Sequence, residues 1–488
     1  MQTQVLTLSP AEARIAEERY RIVKRSVDAR QRQLKVILTV LSDEAGQLIA
    51  REAPVPLYTP PIYHDVRHSD HVVPIIGAGP AGLFAALTLL EHGIRPVIYE
   101  RGKQVSERKK DIALLNRNMG LNPESNYCFG EGGAGTFSDG KLFSRSKKRG
   151  NMQRVMEIFH HFGAADTILY ETHAHIGSDR LPGIIRRMRE LILDRGGEIH
   201  FETKIDSLQA FQGSPLILAI GHSAHDTYRM LDREGIAMES KGCAMGVRAE
   251  HPQSLINRLM YHADTSSIDL VGNASYSLVT QVRDRGVYSF CMCPGGHIVP
   301  AGSGDEVCVV NGMSASQRNS PYANSGIVVT IPPHATAMEG LDAQERLEHT
   351  AWKQARLAGG AAAEAPAQRL RDFVESRVSQ DLPACSYLPG IVSSRLDEWL
   401  PREIGLYLQQ GFRDFDRKYP GFLTNDAVIV GVESRSSSPV RIVRDAETMR
   451  SISHPWLYPC GEGAGYAGGI TSSALDGINA AEKIAHEF

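Results

Sequence analysis

A glycine-rich turn, Gly77-Ala-Gly79-Pro-Ala-Gly82, lies between the apolar segment Val72–Ile76 and a predicted helix, and this leaves few folds open to the chain. The first glycine permits a tight turn, the second lets the backbone approach a pyrophosphate, and the third lets helix and strand pack closely. Glu100 ends the next predicted strand, where a carboxylate can accept a hydrogen bond from a ribose hydroxyl. The pattern predicts a Rossmann-type βαβ unit near residues 72–101 that binds a dinucleotide.

A second glycine-rich segment, residues 130–141, interleaves five glycines with Thr136, Ser138 and Asp139. Such a sequence is poor helix and poor core, but its backbone and hydroxyl groups can surround a polar ligand closely. It predicts a second face of the same site, with Gly133, Gly135 and the three polar residues as candidate contacts. A flexible surface loop is the alternative.

A third segment, Leu457–Ser473, is predicted to be a strand and a glycine-rich turn that lead into a helix from Ala474 to His486, capped by Thr and Ser. The positive end of such a helix can stabilise negative charge on a ligand. An ordinary capped helix without a ligand is the alternative.

Together and in this order, the three segments resemble the large group of flavoproteins with a glutathione-reductase-like FAD fold. Further blocks resemble a bacterial family of uncharacterised FAD-dependent dehydrogenases: Lys24–Arg30, Phe129–Leu142, Gly246–Pro252, Phe290–Gly296 and Gly431–Pro439. The resemblance implies non-covalently bound FAD and no particular substrate. It also implies an α/β fold class, in which a Rossmann-type FAD-binding domain carries an inserted α+β substrate domain and a small N-terminal α/β domain.

The resemblance assigns roles along the cofactor. The diphosphate would lie against Gly77, Gly79, Pro80, Ala81 and Gly82. The adenosine would meet Glu100, with Arg101 beside it, and the backbone of Ile205. Gly221 lies in the turn where the chain re-enters the FAD domain, and the ribityl and ring end would lie near Gly461, Glu462, Gly469 and Ile470.

The predicted domains are residues 1–65, 66–242, 243–425 and 426–488, with the last segment returning to the FAD-binding domain. Prolines 54, 56, 60 and 61 mark the first boundary as a linker. Before it, residues 10–32 are predicted to form a charged amphipathic helix and residues 34–41 a strand.

Composition narrows the partners and the location. With 53 Lys and Arg against 56 Asp and Glu, the formal charge is −3, so neither nucleic acid nor an anionic membrane is expected. A small-molecule substrate is expected instead, and no oligomeric state is indicated. No apolar run reaches the roughly 20 residues of a membrane span, and the start of the chain lacks a signal peptide, so a cytoplasmic location is expected. The seven scattered cysteines suggest reduced thiols, and no second close pair joins Cys291 and Cys293, so no metal site is predicted.

Three sequence features outside the glycine-rich segments bear on a substrate. Cys291, Cys293 and His297 could shuttle protons or hold a substrate, or the thiols could be inert in a buried hairpin. Arg435, followed by three serines, could bind a substrate anion, or it could belong to a solvated loop. His222 is predicted to be structural, and the basic run Arg145–Arg149 to be a solvated loop.

The leading functional hypothesis is hydride transfer between a C–C or C–N bond of a small molecule and FAD. NAD(P)H remains a possible electron donor, although the chain has no second GxGxxG motif. The cysteine pair of disulfide reductases is missing, which argues against that activity. A flavin monooxygenase that uses NAD(P)H and oxygen is one alternative. A non-catalytic flavin-binding adaptor protein is another.

Overall fold

The computed structural model describes residues 1–31, 33–52, 58–143, 150–262 and 267–488. The basic run Arg145–Arg149 and two of the four linker prolines, Pro54 and Pro56, lie outside the described residues.

The N-terminal segment forms a small antiparallel sheet with one helix packed on it. Its elements are β1 (Gln2–Leu8), α1 (Pro10–Arg19), β2 (Ile22–Asp28) and β3 (Lys35–Ser42), and the strand order is β1-β3-β2. Alternate residues of β3 are buried, as a strand with one face on a helix requires. The predicted helix over residues 10–32 is wrong beyond Arg19, because residues 22–28 pair with β3 and this pairing outweighs the helix propensity of their Lys and Arg.

The next segment alternates helices and short strands. Its elements are β4 (Val72–Ile76), α2 (Pro80–Glu91), β5 (Arg95–Tyr99), α3 (Val105–Asn116), α4 (Met152–His161), α5 (Leu181–Asp194), β6 (Glu198–His200), β7 (Leu216–Leu218), α6 (His225–Arg233) and β8 (Met238–Ser240). Short 3₁₀ turns occur at Gly133–Gly135, Asp166–Leu169 and Gln209–Phe211.

The remaining elements divide into a long middle part and a short return. The middle part contains β9 (Cys243–Pro252), α7 (Gln253–Met260), α8 (Ile268–Val271), β10 (Val279–Val282), β11 (Arg285–Cys293), β12 (His297–Pro300), β13 (Val310–Met313), β14 (Tyr322–Ile331), α9 (Ala337–Leu357), β15 (Ala365–Arg369), α10 (Leu370–Val374), β16 (Ile391–Ser393), α11 (Leu396–Trp399), α12 (Arg402–Lys418) and β17 (Val428–Glu433). The return contains β18 (Val440–Ile442), β19 (Leu457–Pro459) and α13 (Ile470–Ala485).

The first large sheet has five parallel strands in the order β19-β7-β4-β5-β6. Helix α2 follows β4 and is buried from Ala81 to Leu90, packed against α13. Parallel neighbours need crossover connections, and α2 supplies the one between β4 and β5. The C-terminal part of the chain therefore completes the sheet that the βαβ unit begins.

The second large sheet has seven strands in the order β10-β11-β14-β9-β17-β15-β16 and is antiparallel except for the β15–β16 pair. Strand β17 pairs with β9 and all six of its residues are buried. The predicted return to the FAD-binding domain at residue 426 is therefore wrong, because residues 428–433 belong to the second sheet. A continuous apolar sequence is compatible with a buried strand of either sheet, and the pairing of the strand decides to which sheet it belongs.

Candidate cofactor and substrate site

A cavity of about 250 Å³ lies at the carboxyl ends of the parallel strands. Its wall includes Ile76, Tyr99, Ala219 and Cys460, which end or directly follow β4, β5, β7 and β19. Ligands of open α/β sheets bind at this edge. The cavity therefore lies at the edge of the sheet where ligands of such folds bind.

The first glycine-rich turn is shaped for close approach by a ligand. Gly77 has a φ of +104°, and a Cβ there would overlap the carbonyl of Ala219. A Cβ on Gly82 would overlap the carbonyl oxygen of Gly77, so this glycine lets α2 pack on the strand. A Cβ on Gly79 would meet only the Gly133 Cα, at 3.8 Å, and the cavity lies open beside it. Gly79 is also the N-cap of α2 without a side-chain cap, so amides of the first turn are free for an anion.

The second glycine-rich segment is held in the interior, which contradicts the surface-loop alternative. The buried Arg108 donates to the carbonyls of Asn126 (2.7 Å) and Glu131 (2.8 Å), and the Gly132 N–H donates to the Ala78 carbonyl (2.8 Å). Burial lowers the pKa of Arg108 to about 10. The guanidinium holds the segment together, and the Gly132 N–H joins it to the first glycine-rich turn.

Most of the predicted site residues lie in the wall of this one cavity. They are Gly77, Gly79, Pro80, Ala81, Glu100, Arg101, Gly133, Gly135, Ser138, Asp139, Ile205, Gly221, Arg435, Gly461, Glu462, Gly469 and Ile470. The structure does not bring Gly82, Thr136, Cys293 or His297 to the wall. Thr136 is buried and its hydroxyl donates to the Glu131 carbonyl (2.9 Å), and His297 is exposed at the start of β12.

Glu100 connects the walls of the cavity. Its carboxylate accepts hydrogen bonds from the N–H groups of Ala78 (2.8 Å), Gly102 (2.9 Å) and Gly130 (3.0 Å). It therefore fixes the first two glycine-rich segments relative to β5. The contact with a ribose stays a prediction, which the remaining lone pairs of the carboxylate allow.

Arg101 is held by its neighbours at the same end. It donates to both carboxylate oxygens of Asp226 (2.9 and 2.8 Å) and lies 4.1 Å from the ring centroid of Phe129. Lys204 also binds Asp226, at 2.8 Å. Although burial opposes ionisation, these two cations hold the pKa of Asp226 well below its usual range.

The third segment contributes a helix terminus and a buried carboxylate. Helix α13 begins at Ile470 with Gly469 as its uncapped N-cap, so the predicted start at Ala474 with Thr and Ser caps is wrong. Glu462 accepts from the Gly469 N–H and bonds to His222 Nδ1 at 2.7 Å. Burial raises the pKa of Glu462, but the hydrogen bond and charge of His222, together with the Gly469 amide and Lys241, lower it overall. His222, predicted to be structural, thus also lines the cavity.

The opposite wall comes from the second sheet and its neighbours. Phe290, Cys291 and Asn311 line it, together with Lys141 from the end of the second glycine-rich segment. Asp139 binds Lys141 (3.0 Å) and Arg318 (2.6 Å). Burial opposes its ionisation, but the two cations lower the pKa of Asp139 strongly.

Arg435 lies in this wall with its charge already paired. Its Nε and Nη2 donate to Glu348 on α9 at 2.9 and 2.7 Å, and its Nη1 donates to Ser303 at 2.8 Å. Both charged residues are buried. Binding of a substrate anion by Arg435 stays a prediction, and the structure gives the guanidinium an internal partner instead.

Two searches of the described ranges bear on other classes of site. Among these residues, no cluster of three or more His, Cys, Asp or Glu could hold a metal ion. None of the helices built from them is long and apolar enough to pass through a lipid bilayer.

Comparisons with known proteins agree with the geometry of the cavity. Residues 70–123 match an FAD binding domain, and residues 242–436 match the family described as FAD-dependent protein, C-terminal domain-like. Residues 6–42 match a domain of unknown function. The chain is a flavoprotein, and its cofactor is FAD.

The family is defined by a relative of nearly equal length. An uncharacterized protein of Clostridium beijerinckii is 39% identical over 503 aligned positions, which cover 96% of this chain and 92% of the relative. The chain belongs to the same family as this protein.

Solved structures that resemble the chain are distant. CtdE in complex with FAD has a TM-score of 0.32 at 11% identity and covers 86% of this chain and 84% of its own. The flavin-dependent brominase Bmp2 has a TM-score of 0.36 at 12% identity, with 85% and 78% covered. The tetracycline destructase Tet(51) has a TM-score of 0.32 at 11% identity, with 86% and 82% covered. The glutathione-reductase-like form of the FAD fold stays a prediction, because matches at these TM-scores carry no argument about the type of fold.

Proposed function

We propose that the protein is an FAD-dependent oxidoreductase that moves a hydride between a C–C or C–N bond of a small molecule and non-covalently bound FAD. The observation that carries the proposal is a single cavity with two kinds of wall. The glycine-rich segments form one, and Phe290, Cys291 and Asn311 near the second sheet form the other. A cofactor held by the first wall would extend toward the second, where a small molecule could meet its redox end.

The residues at the first wall suit the parts of FAD. The open backbone at Gly79 and the amides of α2 suit the diphosphate, and Glu100 and Ile205 suit the adenosine end. Glu462 and the start of α13 suit the ribityl chain and the ring. When bound, FAD supplies the hydride acceptor or donor.

The protein's own contribution is orientation, exclusion of water and charge. Phe290, Ile470 and Cys460 give the inner end of the cavity apolar surface, which keeps water from competing with a substrate. The N-terminus of α13 and the Lys141 ammonium bring positive charge to this end. These positive charges stabilise a bound ligand in its more negatively charged form.

The test is the absorption spectrum of the purified protein, reconstituted with FAD and kept free of oxygen. The protein is titrated with a panel of saturated carbonyl compounds, alcohols and amines, and separately with NADH and NADPH. We expect the flavin bands to bleach with one class of carbon compound, at a rate that saturates with its concentration. A Gly79→Ala variant, which fills the open space at the diphosphate wall, controls for reduction by free flavin.

The other outcomes identify the alternatives. Fast oxidation of NAD(P)H with oxygen uptake, only in the presence of an organic substrate, would contradict the proposal in favour of a monooxygenase. Bound FAD that no donor reduces, together with capture of a stable macromolecular partner, would favour an adaptor. A protein that binds no FAD after reconstitution would refute both the proposal and the assignment of the cavity.

A further inference from the structure

Two thiols lie at a break in strand β11, one of them in the wall of the cavity. The register of β11 against β14 shifts between Phe290 and Cys293, which marks a β-bulge. Cys291 lies inside this bulge with a φ of +46°, in the left-handed region that side chains other than glycine rarely adopt. Cys291 lines the cavity, while Cys293 is fully buried and does not line it. Bulges and strained residues of this kind redirect side chains at functional sites.

One ammonium group contacts both sulfurs. Lys141 Nζ lies 3.8 Å from Cys291 Sγ and 3.4 Å from Cys293 Sγ. Arg248, which is fully buried, lies 3.6 Å from Cys293 Sγ and donates to the Cys291 carbonyl at 2.7 Å. Lys141 and Arg248 come from different segments of the chain, and both contact the Cys293 sulfur.

The charged side chains that contact the two sulfurs are the cations Lys141 and Arg248. Lys141 and Arg318 share the carboxylate of Asp139, and Glu171 also faces Arg318. Arg248 is paired with Glu433 at 2.7 Å, although burial raises the pKa of Glu433 to about 7. His175 also faces Asp139, but burial and Arg318 lower its pKa, so it adds no charge at neutral pH.

A thiolate on Cys291 suits the cations that contact the pair. Hydrogen bonding with Cys293 lowers the pKa of Cys291 well below its ordinary value, and Lys141 and Arg248 lower it further against the effect of burial. The same hydrogen bond and burial raise the pKa of Cys293 well above its ordinary value. The environment of the pair therefore favours a thiolate on Cys291, on the side of the cavity, and a neutral thiol on Cys293.

We propose that Cys291 rests as a thiolate at the inner end of the cavity and accepts the substrate proton when the hydride leaves. The thiolate itself follows from the charges and distances around the pair, while the proton step rests on the proposed function. In that step a substrate C–H bond breaks and its electron pair passes with the hydrogen to FAD. A proton from the adjoining C–H or N–H bond passes to the Cys291 sulfur, an S–H bond forms, and the substrate gains a double bond. Cys293 is a positioning residue, and its thiol donates to the Cys291 carbonyl oxygen at 3.4 Å.

The charge state is tested on the FAD-loaded protein by alkylation with iodoacetamide from pH 5 to pH 10, with peptide mapping of each cysteine. We expect Cys291 to react at neutral pH at a rate that no longer rises at alkaline pH. Cys128, which lines the same cavity, reports whether the reagent can enter. The ultraviolet thiolate absorbance, measured as the difference between wild type and Cys291→Ser, reports the same charge without needing access by a reagent.

Lysine variants separate a specific effect from a general one. Lys141→Met should lower the alkylation rate of Cys291 at pH 7 about tenfold or more, since one unit of pKa is a tenfold change in thiolate. Lys110→Met is the matched control, because Lys110 is exposed, is bound to Glu107 and does not line the cavity. This variant should leave the rate unchanged.

The proton step is tested with the carbon donor found for the proposed function. Cys291→Ser should slow flavin reduction roughly a hundredfold or more and remove the acidic limb of its pH profile, while FAD affinity stays unchanged. A neutral Cys291 thiol at pH 7, or a Cys291–Cys293 disulfide in the isolated protein, would overturn the inference whatever the donor. If Cys291 is a thiolate but no carbon donor reduces the flavin, the proposed function and the proton step are refuted, and the inference of a thiolate stands. Unchanged reduction by Cys291→Ser would refute the proton step while leaving the proposed function in place.

Discussion

Gly79 is the position where the protein's own stability and its affinity for FAD can be separated. An alanine there is compatible with the backbone, because the φ of −76° is ordinary and the nearest atom to a new Cβ is 3.8 Å away. The free energy of unfolding of the apoprotein should therefore stay within about 0.5 kcal/mol of wild type. The methyl group would nevertheless stand in the open space against which a diphosphate lies.

The loss of FAD affinity can be estimated from what the methyl group displaces. A diphosphate held off the start of α2 loses at least one charge-assisted hydrogen bond from a backbone amide, worth roughly 1.5–3 kcal/mol. This corresponds to about 10- to 150-fold weaker binding. Quenching of flavin fluorescence during titration of the apoprotein measures the change, and thermal unfolding without FAD measures the stability.

Two further glycines give matched controls for Gly79→Ala. A Cβ at Gly82 would overlap the Gly77 carbonyl, so Gly82→Ala should destabilise the apoprotein itself by about 1–3 kcal/mol through overpacking. Gly405 lies in α12, and a Cβ there would be 3.7 Å from its nearest neighbour, so Gly405→Ala should change neither quantity by much. Unchanged FAD affinity in Gly79→Ala would refute the placement of the diphosphate at this turn.

Three other changes test particular interactions. Arg435→Met leaves the buried Glu348 without its guanidinium partner and should lower the free energy of unfolding in urea by about 3–5 kcal/mol. The double variant with Glu348→Gln should recover part of this stability. A role of Arg435 confined to substrate binding would not give that recovery. Burial lowers the pKa of His251 to about 4 from 6.5, so the unfolded chain binds the extra proton between these values and stability falls as pH drops through that window, by roughly 3 kcal/mol in all. His251→Gln should flatten that part of the pH profile, and an unchanged profile would contradict the explanation. Glu100→Gln replaces a carboxylate that accepts three backbone hydrogen bonds, and it should weaken FAD binding at least about tenfold in the same fluorescence titration. Wild-type affinity in this variant would show that these hydrogen bonds do not shape the site.

The local chemistry of the glycine-rich turns could be predicted from sequence because each turn encodes its own geometry. Gly77 needs a positive φ and Gly82 needs a close packing distance, and both requirements show in the spacing of the residues alone. Parts of the fold that depend on partners far along the chain could not be predicted in this way. The strand over residues 22–28 was predicted as helix because its charged residues favour a helix until β3 pairs with them.

The same limit applies to the charged groups of the site. Arg435 suggested an anion site because its sequence neighbours are polar, whereas its partner Glu348 lies 87 residues earlier on another element. Lys141 and Cys291 are 150 positions apart. No local pattern reports such pairs, so the sequence suggested Cys293 and His297 as candidates and passed over the ammonium group that distinguishes the two thiols.

The second sheet brings its charged and thiol groups together through two breaks in its pairing. β11 shifts register between Phe290 and Cys293, and β17 shifts register against β9 between Val430 and Glu433. In a regular strand, alternation alone would fix which side chains face the cavity, and a bulge changes that assignment by one residue. Cys291 thus reaches the cavity wall, and Glu433 reaches Arg248, which contacts Cys293. The sheet that was predicted as a substrate domain therefore brings Cys291 to the cavity wall and Arg248 to Cys293, and it does so at irregularities that strand periodicity does not reveal.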